Sequence, residues 1–122
     1  MNIDTLLGKT LSRVSGEAGG DTITFITTDL RRFDLYHDQD CCESVRVEDI
    51  CGDLQDLVGS PIVQAEENTS HTDPLGYKHD SEPESMTWTF YRIATAKGQV
   101  VIRWLGESNG YYSESVSFKE VE

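Results

Sequence analysis

Met86-Thr87-Trp88-Thr89-Phe90-Tyr91-Arg92-Ile93-Ala94-Thr95 is followed by Ala96-Lys97-Gly98, and then by Gln99-Val100-Val101-Ile102-Arg103-Trp104-Leu105. The first run is rich in aromatic and β-branched residues, the composition of a strand. The second alternates, with Val100, Ile102 and Trp104 on one face. The short segment between them is a turn, so the pair reads as an antiparallel hairpin. Gly106 to Gly110 forms a second turn, in which Asn109-Gly110 suits positive φ. Tyr111 to Phe118 reads as the last strand, and a β-meander thus ends the sequence. Trp88, Phe90, Ile102, Trp104, Val116 and Phe118 are expected to supply much of the core.

Toward the N-terminus the pattern stays mostly β. Thr22 to Thr28 is β-branched and aromatic, and the glycine-rich Gly16 to Asp21 connects it to a strand near Thr10 to Ser15. Arg31 to Tyr36 alternates after an Asp29-Leu30 turn, and Ser44 to Glu48 alternates again. From Asp49 to Gly59 the period changes. Ile50, Leu54, Leu57 and Val58 recur at helical spacing and predict one short helix near residues 50–58. Pro61 to Ala65 resembles a short strand. Residues 66–85 are polar, contain Pro74, Gly76 and Pro83, and read as a long loop. No repeat or low-complexity segment is present. The expectation is a single domain over 1–122, mainly β with α+β as the neighbouring class. Its twisted antiparallel sheet would be arranged as a small barrel or sandwich.

A chain of 122 residues can bury a core without metals or disulfides. Its 37% apolar and 26% charged residues are ordinary for a soluble globular protein. No stretch approaches the ~20 apolar residues of a membrane helix. Met1 to Gly8 lacks the basic and apolar regions of a secretory leader, so a cytoplasmic protein that binds no membrane is expected. The net charge of −12 repels phosphate backbones, which argues against direct nucleic-acid binding. It suits a protein partner with a basic surface. The cysteines, Cys41, Cys42 and Cys51, are odd in number, which argues against a disulfide scaffold. A bridge between neighbours Cys41 and Cys42 would close a strained ring, so free thiols are expected in a reducing cytosol.

The densest chemistry lies in His37-Asp38-Gln39-Asp40-Cys41-Cys42-Glu43. Side-chain alternation places His37 on the same face as Phe33 and Leu35, pointing at the core or its rim. A half-buried His needs partners for both ring nitrogens, so a hydrogen-bonded His at a strand end is one reading. Asp38 or Asp40 capping a turn, with Glu43 three residues after Asp40 as in a capping box, uses the same carboxylates. A second reading is a zinc or iron site built from His37, Cys41 and Cys42. It would need a further ligand from Cys51, His71, His79 or Glu114. The segment lacks the Cys-x-x-Cys and His-x-x-x-His pairs of familiar zinc sites. A third reading, a cysteine nucleophile activated by His37, is opposed by Asp38, Asp40 and Glu43, whose charge raises a thiol pKa. Glu114 shares strand parity with Val116 and Phe118. It is expected to face inward, partnered by Arg92, Arg103 or His37. His71 and His79 are expected to be solvated in the polar loop. No phosphate loop, nucleophile elbow or His-Glu-x-x-His helix is present.

The segment Leu35-Tyr36-His37-Asp38-Gln39-Asp40-Cys41-Cys42-Glu43-Ser44-Val45 resembles the hallmark of a family of small bacterial and phage proteins classed as a domain of unknown function. Ile102 to Val116 resembles the same family's C-terminal signature. With Asp49-Ile50-Cys51-Gly52-Asp53-Leu54, the likeness runs over most of the chain. It departs at Arg46, where an aromatic or apolar residue is usual. The resemblance implies a bacterial or prophage setting and marks Gly106 to Ser115 as a second place for a site. It implies no reaction, cofactor or partner. Taken together, the sequence favours a non-enzymatic accessory or protein-interaction module without a cofactor. The alternatives are a metal-binding protein using His37 to Glu43, with zinc as the candidate ion, and a small hydrolase at the junction of the 37–43 and 106–115 segments.

Overall fold

A computed structural model describes residues 1–79 and 82–121. Eight strands run β1 (Leu11–Ser15), β2 (Thr22–Thr27), β3 (Arg32–Tyr36), β4 (Ser44–Cys51), β5 (Gln64–Ser70), β6 (Ser85–Thr95), β7 (Gly98–Ser108) and β8 (Ser117–Val121). They form two four-stranded sheets, ordered β1-β2-β3-β8 and β4-β7-β6-β5. Every strand pairing within the sheets is antiparallel. The architecture is mainly β, as expected, and the sheets do not close into a barrel.

The core is the space between the sheets. Ile23 and Phe25 of β2 and Phe33 and Leu35 of β3 fill it from one side. Val45, Val47, Tyr91, Ile93, Val100, Ile102 and Trp104 fill it from the other. Phe33 and Phe118 stack with ring centroids 5.6 Å apart. The sheets are also stitched along their edges. The amide of Gly19 donates to Val47, whose own amide donates to Gly20, beside a bulge between Val47 and Asp49. Lone bridges join Leu11 to Val58 and Thr10 to Pro61.

Four sequence expectations change, and two strand ends shift: the strand read at Pro61–Ala65 begins only at Gln64, and β7 runs through the turn read at Gly106–Gly110 as far as Ser108. The short helix near residues 50–58 is a single 3-10 turn and not an α-helix. Asp49, Ile50 and Cys51 continue β4 against Arg103, Ile102 and Val101. Gly52, at φ +107°, breaks the strand, and Leu54–Leu57 makes only a 3-10 turn capped by Asp53. Four residues are too few to sustain an α-helix. The apolar spacing arose because a strand residue and a turn happen to cover one end of the core. Residues 66–85 are not all loop, because β5 runs to Ser70; Asp80 and Ser81 lie outside the described residues. β5 is polar because it is an edge strand with only Ala65 buried, so its pairing with β6 creates it, not its side chains. The last strand is Ser117–Val121, and 111–116 is irregular.

The fourth change concerns the faces of β6. Val100, Ile102 and Trp104 do share the core face, opposite Ile93, Tyr91 and Thr89. Trp88 and Phe90 lie on the outer face, opposite Leu105 and Arg103. Trp88 is nevertheless fully buried, because the 71–79 segment folds back over it. Among the described residues no helix is long and apolar enough to cross a membrane.

Candidate functional site

His37 leaves the end of β3 and Glu43 enters β4, so the connection between them bridges the two sheets. The His37 side chain is 4% exposed and that of Glu43 is fully buried. His37 Nε2 lies 2.7 Å from Glu43 Oε2, and Nδ1 lies 2.7 Å from the carbonyl of Ser115. The backbone N–H groups of Asp40 and Cys41 donate to Glu43 at 2.9 and 2.8 Å, and Gln39 Nε2 adds another bond. The bond from Asp40 is the reach-back half of a capping box, made here without a helix. The hydrogen bond from His37 is the main reason the Glu43 carboxyl falls to about 2; burial opposes it and the two N–H groups assist it.

The rest of the cluster faces outward. Asp38, Asp40, Cys41 and Cys42 are exposed. Cys41 and Cys42 are joined as a disulfide, where free thiols were expected, and Cys51 alone is a free cysteine. Adjacency brings the two sulfurs within bonding reach in the bend after Asp40. Both nitrogens of His37 and both sulfurs of the Cys41–Cys42 pair are thus engaged with protein neighbours. No group of three or more His, Cys, Asp or Glu side chains is arranged to hold a metal ion among the described residues. The stretch works as a clamp, tying the end of β3, the start of β4 and the segment before β8.

The clamp meets the second marked segment at Ser115. One residue earlier, Glu114 lies against Gly106 of β7 so closely that a Cβ there would sit 2.6 Å from the Glu114 carbonyl oxygen. Thr87 Oγ1 donates to Glu114 at 2.8 Å and Ser108 Oγ donates to its other oxygen. Glu114 is half-buried, and hydroxyls partner it in place of Arg92, Arg103 or His37. The segment 110–116 stands as a wall over the inner face of β6. Between them lies an open cleft of about 340 Å³. Glu67 lines it from β5 and Glu114 from the wall, with Thr69, Thr87, Thr89 and Tyr112 around them. Tyr91, buried beneath, donates to Glu67 at 2.5 Å; burial, then this bond, hold its phenol far above its ordinary value.

A further cluster escaped the sequence reading. His79 is not solvated: its side chain is 3% exposed. Its Nε2 donates to Asp73 at 2.9 Å and its Nδ1 to Glu107 at 2.8 Å. Trp88 Nε1 also donates to Asp73, and Arg46 bridges Glu107 to Glu48. Tyr77 packs edge-on against both His79 and Trp88. Burial alone would lower the His79 pKa, but the bonds to Asp73 and Glu107 outweigh it and hold the imidazolium above its ordinary value. Arg46 is thus one end of the network that pins the 71–79 segment down. One sequence signal pointed this way. Both parities of β6 carry large apolar residues, so both faces must be covered.

Residues 4–118 match a family described as a domain of unknown function, DUF7448. The chain belongs to this family. The match covers the His37 clamp, the Glu114 wall and the 71–79 segment together. No curated protein and no solved structure matches the chain.

Proposed function

We propose that this DUF7448 protein is a non-enzymatic binding module whose cleft over β6 receives a cationic side chain of a protein partner. The cleft supports this reading: Glu67 and Glu114 line it, hydroxyls surround them, and the whole chain carries −12 charges. Carboxylates are acceptors only, and hydroxyls add further acceptor lone pairs, so the lining matches an ammonium or guanidinium group. Negative charge at long range would speed the approach of a basic surface. The His37 clamp serves this reading indirectly, by fixing the wall through Ser115. A bacterial or phage setting follows the family resemblance in the sequence, and a cytoplasmic location is part of the same proposal.

A ¹H–¹⁵N titration with a short Lys- and Arg-containing peptide tests it. Amide shifts should concentrate in Ser85 to Thr89 and Gly110 to Ser115, weaken in Glu67→Gln, and fade as salt is raised. Shifts spread evenly over the acidic surface would overturn the proposal.

A further inference from the structure

On the opposite face of the same sheet, β4, β6 and β7 form the floor of a second cavity of about 320 Å³. Phe90, Val101 and Pro74 give it apolar surface, Arg92 and Arg103 add positive charge, and Cys51 stands at its margin. The register explains the grouping. Cys51 pairs with Val101, Arg103 with Phe90 and Arg92 with Val101, so these side chains share the outer face. Pro74 comes from the segment that His79 and Trp88 pin over that face.

The guanidinium of Arg103 is set in place from two sides. One terminal nitrogen donates to Asp49, and the group lies 6.0 Å from the centre of the Trp88 ring. Its Nε is buried and has no hydrogen-bond partner among the described residues. Buried donors are normally satisfied. Arg92 is exposed on the neighbouring strand, which leaves its guanidinium free to turn toward a ligand. The two arginines stand beside the apolar hollow, Arg103 paired with Asp49 and Arg92 in register with Glu66 of β5, so this face is locally balanced in a chain of net charge −12.

We infer that this outer-face cavity binds a small aromatic anion: an aryl body against Phe90, Val101 and Pro74, with an acidic group facing Arg92 and Arg103. The volume lies at the small end of ligand sites, about 300–1,000 Å³. A planar ring fits this lining because guanidinium groups stack on aromatic faces and pair with carboxylates or phosphates. The site is separate from the cleft over the inner face of β6, and either can stand without the other.

Cys51 makes the site report on itself. The test uses anilinonaphthalene sulfonate as ligand and two thiol reagents: neutral dithiodipyridine and dithiobis-nitrobenzoate, which carries a carboxylate on each ring. In each reaction the Cys51 thiolate attacks the reagent disulfide, forms a mixed disulfide and releases one aryl thiolate. Saturating sulfonate should slow the Cys51 reaction with dithiodipyridine. The rate ratio of the charged to the neutral reagent should fall in Arg92→Gln and be retained in Arg92→Lys. Removing one exposed charge contact limits that fall to about fivefold. Arg92 is exposed on a strand, so the substitution leaves folding intact, which a thermal melt verifies. Absence of sulfonate binding, binding that leaves Cys51 equally reactive, or an unchanged ratio in Arg92→Gln would each overturn the inference.

Discussion

Replacing Gly106 with alanine should loosen the wall of the inner cleft. An added Cβ would lie 2.6 Å from the Glu114 carbonyl oxygen, 2.7 Å from its Cβ and 3.1 Å from its Cα. Ordinary carbon contacts begin near ~3.5 Å, so the wall must retreat by most of an ångström. Two of the three atoms are backbone, so no rotamer change relieves the overlap. The retreat strains the hydroxyl bonds from Thr87 and Ser108 to Glu114, each worth about 1 kcal/mol. Overpacking adds about 1–3 kcal/mol. Against this, alanine restricts the unfolded chain and returns up to about 1 kcal/mol. The net expectation is a loss of about 2–5 kcal/mol. Urea unfolding followed by tryptophan fluorescence measures it directly, with the slope unchanged. Gly98→Ala is the control, because its nearest neighbour is the carboxylate tip of Asp56 at 3.1 Å, which can swing away. A Gly106→Ala protein as stable as the parent would refute the packing of Glu114 on β7.

Glu43, held at about 2, contributes stability that is present above its ordinary value of about 4.3 and lost as pH falls toward 2. Melting curves across that window should steepen this loss in the parent and flatten it in Glu43→Gln; parallel curves would contradict the clamp. His79 has the opposite sign. Its raised pKa supplies stability below its ordinary value of about 6.5, lost as pH rises through the folded value. Trp88 fluorescence should show a step on the alkaline side that His79→Gln abolishes, and an identical step in that variant would exclude His79 as its source. Unfolded without reductant, the chain should titrate one thiol, Cys51; three thiols would show Cys41 and Cys42 reduced. Ile93→Ala, at a fully buried core position, should cost about 2–5 kcal/mol in equilibrium unfolding, and a loss under 1 kcal/mol would argue that the site is not close-packed.

The strands were legible because alternation is a local property. The β6–β7 hairpin follows from its own residues, and its two-residue connection, Ala96-Lys97, sits where the turn was read. What failed was whatever required knowing the neighbours. Ile50 matched a helical period with Leu54 and Leu57 although Gly52 separates a strand from a turn. The parity of Trp88 said that it faces with Phe90, yet nothing local said which face meets the core. His79 sits 28 residues from Glu107 in sequence, so their contact exists only once the 71–79 segment is folded back. The inward turn of His37 was legible from Phe33 and Leu35, and the reach of Glu43 to Asp40 from their spacing. The carbonyl of Ser115 was not, because it comes from far along the chain.

The β6–β7 hairpin gives one sheet two surfaces of different chemistry. Thr87 and Thr89 look into the acidic cleft, while Phe90 and Arg92 look into the arginine-lined cavity. Adjacent codons thus serve separate surfaces, and a substitution at one leaves the other free to vary. Deleting a single residue is another matter. It would turn every downstream side chain of the strand to the opposite face, place Arg92 toward the core and disrupt both surfaces in one event. A mutational scan of this hairpin should therefore show tolerance with a two-residue period for substitutions and almost none for single-residue deletions.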